Sequence, residues 1–248
     1  MIDMRIARSC GPTGELLRQE LVNSGLGVGS GGRAVLCWGS GYSGGLPSLN
    51  GKAGSLDKYQ QFEAMRSRRV PVPLFFPGNV NPSAVRSYPL LARKSKHHGG
   101  TDIMLVLQPE DIPLRRAAGA NFFVQYIPRA AEFRVWVYRR RHLGTYIKVL
   151  RHPEQYTKVG CNFDNGFAFD LARIETVPTA VIEAGKAAVD SLDLDFGAVD
   201  ILLSTSQKVY VLEVNTAPGV EGPRQGLSGL VNHIVKWANQ NYPSRRGY

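Results

Sequence analysis

Two carboxylates and an amide near the end of the chain have the spacing of a metal site. Asp200 lies in the run FGAVDILLS (196–204), while Glu213 and Asn215 lie in KVYVLEVN (208–215). Both runs alternate or concentrate apolar residues around a short polar break, the pattern of a β-hairpin. Side chains two apart on a strand share a face, so Glu213 and Asn215 point the same way and Asp200 on the other arm can join them. Such oxygens suit a hard cation, and Mg²⁺ is usually held by one or two carboxylates plus the phosphates of a nucleotide. The plainer alternative is a wet hairpin face, with NTAPG (215–219) as its turn exit; the spacing alone leaves both open.

A second feature is RKSKHHGGTDI (93–103), a polar loop ending in two glycines between two apolar runs. Glycines let backbone amides approach a phosphate, and a cation at the end of the preceding strand neutralises it. An ordinary exposed hairpin, with His97 and His98 solvated, has the same look.

These groups need elements to position them. A strand is expected over 4–7, then a helix capped by Thr13, running to about Asn23 and stopped at Gly25, then a strand over 34–38. The stretch GLGVGSGG (25–32) has the composition of a dinucleotide fingerprint but follows a helix and opens a strand, the reverse of what that fingerprint needs, so it reads as a loop. Residues 39–54 form a long connection. Ser55 is expected to cap a helix that runs to about Arg68 and is ended by VPVP (70–73). Strands over 89–93 and 102–107 flank the glycine loop, followed by a helix over 109–118 and a strand over 121–127. A long hairpin has arms 132–138 and 143–150, with Arg139, Arg140, Arg141 and His142 in its turn. A helix over 177–192 presents Ala180, Val181, Ala184, Ala187, Ala188 and Leu192 on one face, and a last helix covers about 226–242.

The 248 residues are 43% hydrophobic and 20% charged, which supports a sizeable core and excludes a disordered or fibrous chain. No run nears the roughly 18 apolar residues of a membrane span, and the first residues are too interrupted by charge for a secretory signal. Cys10, Cys37 and Cys161 are scattered and form no CxxC pair, against both a disulfide framework and a zinc site. A cytoplasmic protein without a membrane partner is expected. The net charge of +10 is uneven: residues 1–80 carry +4, 81–148 carry +8 and 149–248 carry −2. A basic centre beside an acidic end fits a nucleic-acid surface, or a site whose electrostatics bound phosphates and metal complete. The clusters RSRR (66–69) and RRRH (139–142) are of the kind that contacts nucleic-acid backbones.

Taken in order, these pieces resemble the ATP-grasp superfamily, and particularly its RimK-like branch of carboxylate–amine ligases, from about Trp38 onward. SLDKYQQFEAM is similar to the family's helix bearing "DK", which implies a nucleotide-phosphate role for Lys58. YPLLARKSKHHGGTDI is similar to its strand and glycine-rich flap, which implies phosphate binding by Arg93 or Lys94 with Gly99 and Gly100. NFFVQYI resembles the segment that links two subdomains and hydrogen-bonds adenine, implicating Gln125, Tyr126 and Ile127. EFRVWV resembles the strand whose Arg contacts phosphate and substrate, here Arg134. Lys148 and Asn162 stand where such ligases place further phosphate and metal contacts, so Lys148 joins Arg134 as a catalytic cation. VDILLSTSQKVYVLEVNTAPGVEG resembles the metal-binding end, with Asp200, Glu213 and Asn215 as ligands; EVNTAPG with its upstream Asp is the most specific part.

The resemblance implies an α+β, ATP-grasp fold in which two α+β subdomains grip ATP, after a short α/β N-terminal segment. Its expected divisions are 1–80, 81–127 with the flap, and 128–248 with the metal site. It implies an enzyme that uses ATP and Mg²⁺, or Mn²⁺, to convert a carboxylate to an acyl phosphate, from which an amine displaces phosphate to give an amide. The basic middle would suit an acidic peptide or protein substrate. Two rivals remain: a nucleic-acid-binding protein on the same scaffold, and an ATP-grasp phosphotransferase that stops at a phosphorylated product.

Overall fold

The computed structural model describes residues 1–95, 103–156, 165–219 and 225–242. The chain opens with β1 (Asp3–Ile6), α1 (Gly11–Asn23), β2 (Val35–Trp38) and the two-residue β3 (Ser48–Leu49), which form a parallel sheet in the order β1-β2-β3. Thr13 is not the cap of α1. The helix starts two residues earlier, at Gly11-Pro12, where proline's missing N–H costs nothing. Thr13 Oγ1 instead donates to Cys10 O (3.1 Å) and accepts from Trp38 Nε1 (2.9 Å), tying helix to strand. The stop at Gly25 is as expected: its φ of +80° closes a Schellman motif, with Gly25 N–H donating to Val22 O and Leu26 N–H to Leu21 O. Residues 25–32 run as a loop from α1 to β2, with a single bridge between Ile2 and Val28.

The connection over 39–54 is not wholly irregular, since β3 lies in it, and Asn50 just beyond is a buried clamp. Asn50 Nδ2 donates to Phe196 O, and its Oδ1 accepts from the N–H groups of Asp195 and Phe196, each at 2.9 Å. Next comes α2 (Lys58–Ser67). Its cap is Asp57, not Ser55: Asp57 Oδ1 accepts from Gln60 N–H while Gln60 Oε1 accepts from Asp57 N–H, a reciprocal box. Ser55 is spent on Lys52 O.

β4 (Phe75–Pro77), β5 (Leu90–Arg93), β6 (Met104–Val106), α3 (Asp111–Ala117) and β7 (Phe122–Gln125) build an antiparallel sheet in the order β4-β7-β5-β6. β4 had no counterpart in the expected elements. The remainder comprises β8 (Arg129–Tyr138), β9 (Arg141–Leu150), β10 (Phe167–Leu171), α4 (Thr179–Ser191), β11 (Phe196–Ser204), β12 (Val209–Asn215) and α5 (Gln225–Asn241). Its five strands form an antiparallel sheet in the order β10-β9-β8-β11-β12. The turn between β8 and β9 is shorter than expected. Only Arg139 and Arg140 form it, with φ of 42° and 63°, the left-handed pair that a two-residue hairpin requires; Arg141 and His142 already belong to β9.

Alternation splits the side chains of the five-stranded sheet between two cores. Phe133, Val135, Val137, Val199, Ile201 and Val211 face α4 and α2. The buried stripe of α4 is Val181, Ala184, Gly185, Ala188 and Val189, whereas Ala180 and Ala187, expected on it, are exposed. Gly185 is required by close approach: a Cβ there would lie 3.0 Å from Val135. On the opposite face, Trp136, Tyr138, Phe196 and Ala198 pack under α5 and the N-terminal sheet. That covered area ends at Arg134 and Asp200, which continue the same alternation into a charged patch.

Candidate active site

Three strands carry the centre of this patch in register. Arg134 of β8 is the cross-strand partner of Asp200 of β11, and Asp200 is the partner of Glu213 of β12. The pairing slips just beyond Asp200, because Ile201 opposes Val211 and leaves Leu212 as the extra residue of a β-bulge. Asn215, two positions on, is opposite Ala198 and so shares the face of Glu213.

The charges are paired closely. Arg134 forks onto Asp200, with Nε 2.6 Å from Oδ1 and Nη2 2.8 Å from Oδ2. Lys148 of β9 lies 3.3 Å from the same Oδ2 and forms a second ion pair with Glu132. Phe169 of β10 covers both cations, its ring centroid 4.3 Å from the Arg134 guanidinium and 5.5 Å from Lys148 Nζ. On the other side, Lys58 from the first turn of α2 reaches Glu213 at 2.8 Å, and Arg93 from the end of β5 approaches it at 3.9 Å. The docking of α2 is fixed by Gln61 Oε1, which accepts from Val214 N–H (3.1 Å), and by Lys58 N–H donating to Ser95 O (3.3 Å). Asp200 and Glu132 are 4% and 6% exposed, so their part of the network sits in low dielectric, whereas Glu213, Lys58 and Arg93 are partly buried.

Burial by itself would raise the Asp200 carboxyl, but the charges of Arg134 and Lys148 outweigh it and hold the group well below the usual carboxylate range. Glu213 is depressed in the same way: burial and Asp200 oppose ionisation, while Lys58 and Arg93 enforce it. Lys148 is raised, because Asp200 and Glu132 overcome the burial that would discharge it. Asp200, Glu213 and Lys148 are therefore held in their charged forms, in a cluster that sets four basic side chains around three acidic ones.

The donor set fits a hard metal ion. Asp200, Glu213 and the Asn215 amide offer oxygens from one sheet face, and Nδ2 of Asn215, a donor, is buried without a hydrogen-bond partner among the described residues. No group of three or more His, Cys, Asp or Glu side chains among the described residues can hold a metal unaided. A cation here would thus need phosphate or water to complete its shell.

No protein-family model matches the chain. Among curated proteins, the uncharacterized protein MG011 of Mycoplasma genitalium is 24% identical over 169 residues. That match covers 66% of this chain and 55% of the relative, so the match spans about half the relative's length. Among solved structures, D-alanine–D-alanine ligase from Bacillus anthracis superposes with a TM-score of 0.70 over 99% of this chain and 98% of that one, at 12% identity. The ATP-grasp ligase PsnB complexed with a minimal precursor gives 0.67 over 95% and 98%, at 15% identity. The fold is the ATP-grasp fold. Other complexes of the same two proteins contain ATP, or the precursor with Mg and ADP.

On this ATP-grasp scaffold the sequence-derived residues fall in distinct places. Lys58, Arg93, Arg134, Lys148, Asp200 and Glu213 converge in one cluster. Of the two cations after the Leu-Leu-Ala run, Arg93 points to Glu213, whereas a Cβ on Gly119 would sit 3.2 Å from Lys94 Cε, which places Lys94 along the end of α3. Gln125, Tyr126 and Ile127 lie where β7 passes to β8, between the four- and five-stranded sheets. The Gln125 and Tyr126 N–H groups are already given to Leu74 O and Pro89 O. Gly99 and Gly100, with His97 and His98, and Asn162 lie outside the described residues. Glu132 and Phe169 were missed. Glu132 is two positions before Arg134 and so shares its face, a signal present in EFRVWV, whereas nothing local marks Phe169.

Arg66, Arg68, Arg139 and Arg140 of the two arginine clusters have partners inside the chain. Asp193 pairs with Lys52 (2.8 Å) and Arg68 (2.9 Å), Asp195 with Arg139 (2.9 Å), and Asp190 with Arg140 (2.8 Å). Arg66 lies over the Phe75 ring. The acidic residues at and just beyond the end of α4 thus absorb part of the charge that the sequence left open to nucleic acid. Among the described residues no helix is long and apolar enough to cross a membrane.

Proposed function

We propose that the protein is an ATP-dependent carboxylate–amine ligase of the RimK-like kind. The observation that carries this reading is the cluster in which cations from α2, β5, β8 and β9 meet the buried Asp200 and the partly buried Glu213 on an ATP-grasp scaffold. Adenine would sit at the link over 125–127, between the two sheets, and the triphosphate would extend toward Lys58, Arg93 and Arg134. Residues 1–80, 81–127 and 128–248 would serve as N-terminal segment, flap-bearing half and metal-bearing half of the grip. Asp200, Glu213 and Asn215 would hold Mg²⁺, or Mn²⁺, whose contribution is to neutralise charge on the phosphates.

The chemistry asks for positioning and charge more than for covalent help. An oxygen of the substrate carboxylate attacks the γ-phosphorus and ADP leaves, giving an acyl phosphate; an amine then attacks the acyl carbon, phosphate departs, and the amine proton is lost. Arg134, fixed by its fork on Asp200 and stacked on Phe169, is suited to meet charge on the transferred group. Lys148, kept protonated by Glu132 and Asp200, supplies a second fixed positive charge. PsnB complexed with a precursor peptide supports a peptide as one substrate, and the basic middle of the chain favours an acidic one. Cys10 and Cys37 are free thiols, which suits the reducing, ATP-containing cytoplasm.

The test is ADP release over a panel of amino acids, acidic peptides and nucleic acids, run with hydroxylamine and mass spectrometry of products. A hydroxamate together with an amide product supports the ligase. A stable phosphorylated product without hydroxamate supports the phosphotransferase instead.

A further inference from the structure

Glu213 is held by two cations from different elements. Lys58 stands at the first position of α2 and Arg93 at the last position of β5, with Nζ and Nη2 at 2.8 and 3.9 Å from the same Oε2. The neighbouring carboxylate, Asp200, is held likewise by Arg134 and Lys148. Resting on the nucleotide reading above, we infer that Lys58 and Arg93 guard Glu213 against divalent cations until nucleotide phosphates draw them away, so that metal and nucleotide load together.

The reasoning is one of exchange. A divalent cation arriving alone must take a carboxylate from a partly buried ion pair and leave Lys58 or Arg93 without a partner, which is unfavourable where water reaches the charges only in part. A triphosphate arriving alone must likewise take Lys58 from Glu213 and leave that carboxylate unpaired. Arriving together, they swap partners: the cations pass to phosphate and the carboxylates to metal, and no buried charge is stranded. The same three residues, Lys58, Arg93 and Glu213, that would bind the ligands therefore also make each ligand weak without the other. Nothing in this requires α2 to unfold, because its capping box is made by Asp57 and Gln60, not by Lys58.

The experiment separates each ligand from the other, since ATP chelates metal in solution. Mn²⁺ alone is titrated by electron paramagnetic resonance into wild-type protein, Lys58→Met and Arg93→Met, with circular dichroism confirming the fold. ATP alone, in excess chelator, is titrated calorimetrically into wild type and Glu213→Gln. Removing the guard is expected to tighten Mn²⁺ by about tenfold in Lys58→Met and by less in the more distant Arg93→Met, within the usual range of linkage between sites. Neutralising Glu213 is expected to tighten metal-free ATP by about tenfold, although the same change weakens ATP when Mg²⁺ is present. Unchanged or weaker Mn²⁺ binding in both guard variants, or unchanged or weaker metal-free ATP binding in Glu213→Gln, overturns the inference. Wild-type protein that binds no ATP even with Mg²⁺ overturns the nucleotide reading itself.

Discussion

Arg134 and Asp200 are 66 positions apart in the chain yet are direct cross-strand partners joined by two hydrogen bonds of 2.6 and 2.8 Å. The fork fixes the guanidinium plane, and the low-dielectric setting makes the pair hard to break from one side only. Removing one partner of a buried ion pair typically costs about 3–5 kcal/mol, because the other is left uncompensated. Arg134→Met is therefore expected to lower unfolding free energy by about that amount in urea, less any relief from Lys148 moving closer. Arg134→Lys keeps the charge but not the fork; it should stay folded while ATP turnover falls by about a hundredfold, the scale of losing one aligned donor. A Lys variant with full turnover would show that the fork is not used.

Asn50 makes a second long-range tie, and it predicts a stability effect away from the charged cluster. Its side chain supplies three hydrogen bonds to the start of β11. At about 1 kcal/mol for each such bond, Asn50→Ala should cost about 3 kcal/mol in chemical denaturation. The φ of 55° at this position adds strain for alanine. A loss well under 1 kcal/mol would mean that the N-terminal sheet is held to β11 by other contacts.

Acid should loosen the latch at the end of α4. Asp193 is lowered from 3.8 to about 2 by hydrogen bonds from Arg68 and Lys52. A depressed folded-state value means that the unfolded chain binds the proton more tightly, so the contribution is complete above 3.8 and disappears as pH falls toward about 2. The melting-temperature gap between wild type and Asp193→Asn should therefore be constant near neutrality and shrink below about pH 4. Because the site is solvent-exposed the gap is small at any pH. A gap that widens in acid would contradict the assignment.

The same latch speaks against a nucleic-acid surface. With Arg68, Arg139 and Arg140 given to Asp190, Asp193 and Asp195, binding to single- or double-stranded oligonucleotides should not exceed the non-specific range, about 10⁻⁴–10⁻⁶ M at physiological salt. Arg139→Gln with Arg140→Gln should change thermal stability and leave that affinity alone. Sub-micromolar binding lost in the double variant would restore the nucleic-acid reading.

The strands that carry the site could be read in the sequence because period-two alternation is local: EFRVWV and KVYVLEVN show it directly, and the shared face of Glu213 and Asn215 follows from it. What joins the strands could not be read. The pairing of Arg134 with Asp200 depends on the order β8-β11-β12, and the bulge at Leu212 that sets Glu213 opposite Asp200 has no mark in its own residues. β4 and β10 escaped because each is short and lies at a sheet edge, with only one neighbouring strand to favour apolar residues. The cap of α2 was misplaced to Ser55 although Asp57 and Gln60 had the box spacing, since two polar residues competed for one role. The arginines at 139 and 140 looked like free charge only because their acidic partners lie some 50 residues away.

The central claim is that Asp200, Glu213 and Asn215, with the cations around them, form a site for ATP and a divalent metal. Calorimetric titration of ATP in the presence of Mg²⁺ into wild type and Glu213→Ala tests it most directly. Wild type should bind one ATP per chain, and the variant should bind at least about tenfold more weakly, a difference of about 1.4 kcal/mol. Equal affinity in the two proteins, or no binding to wild type, would contradict it.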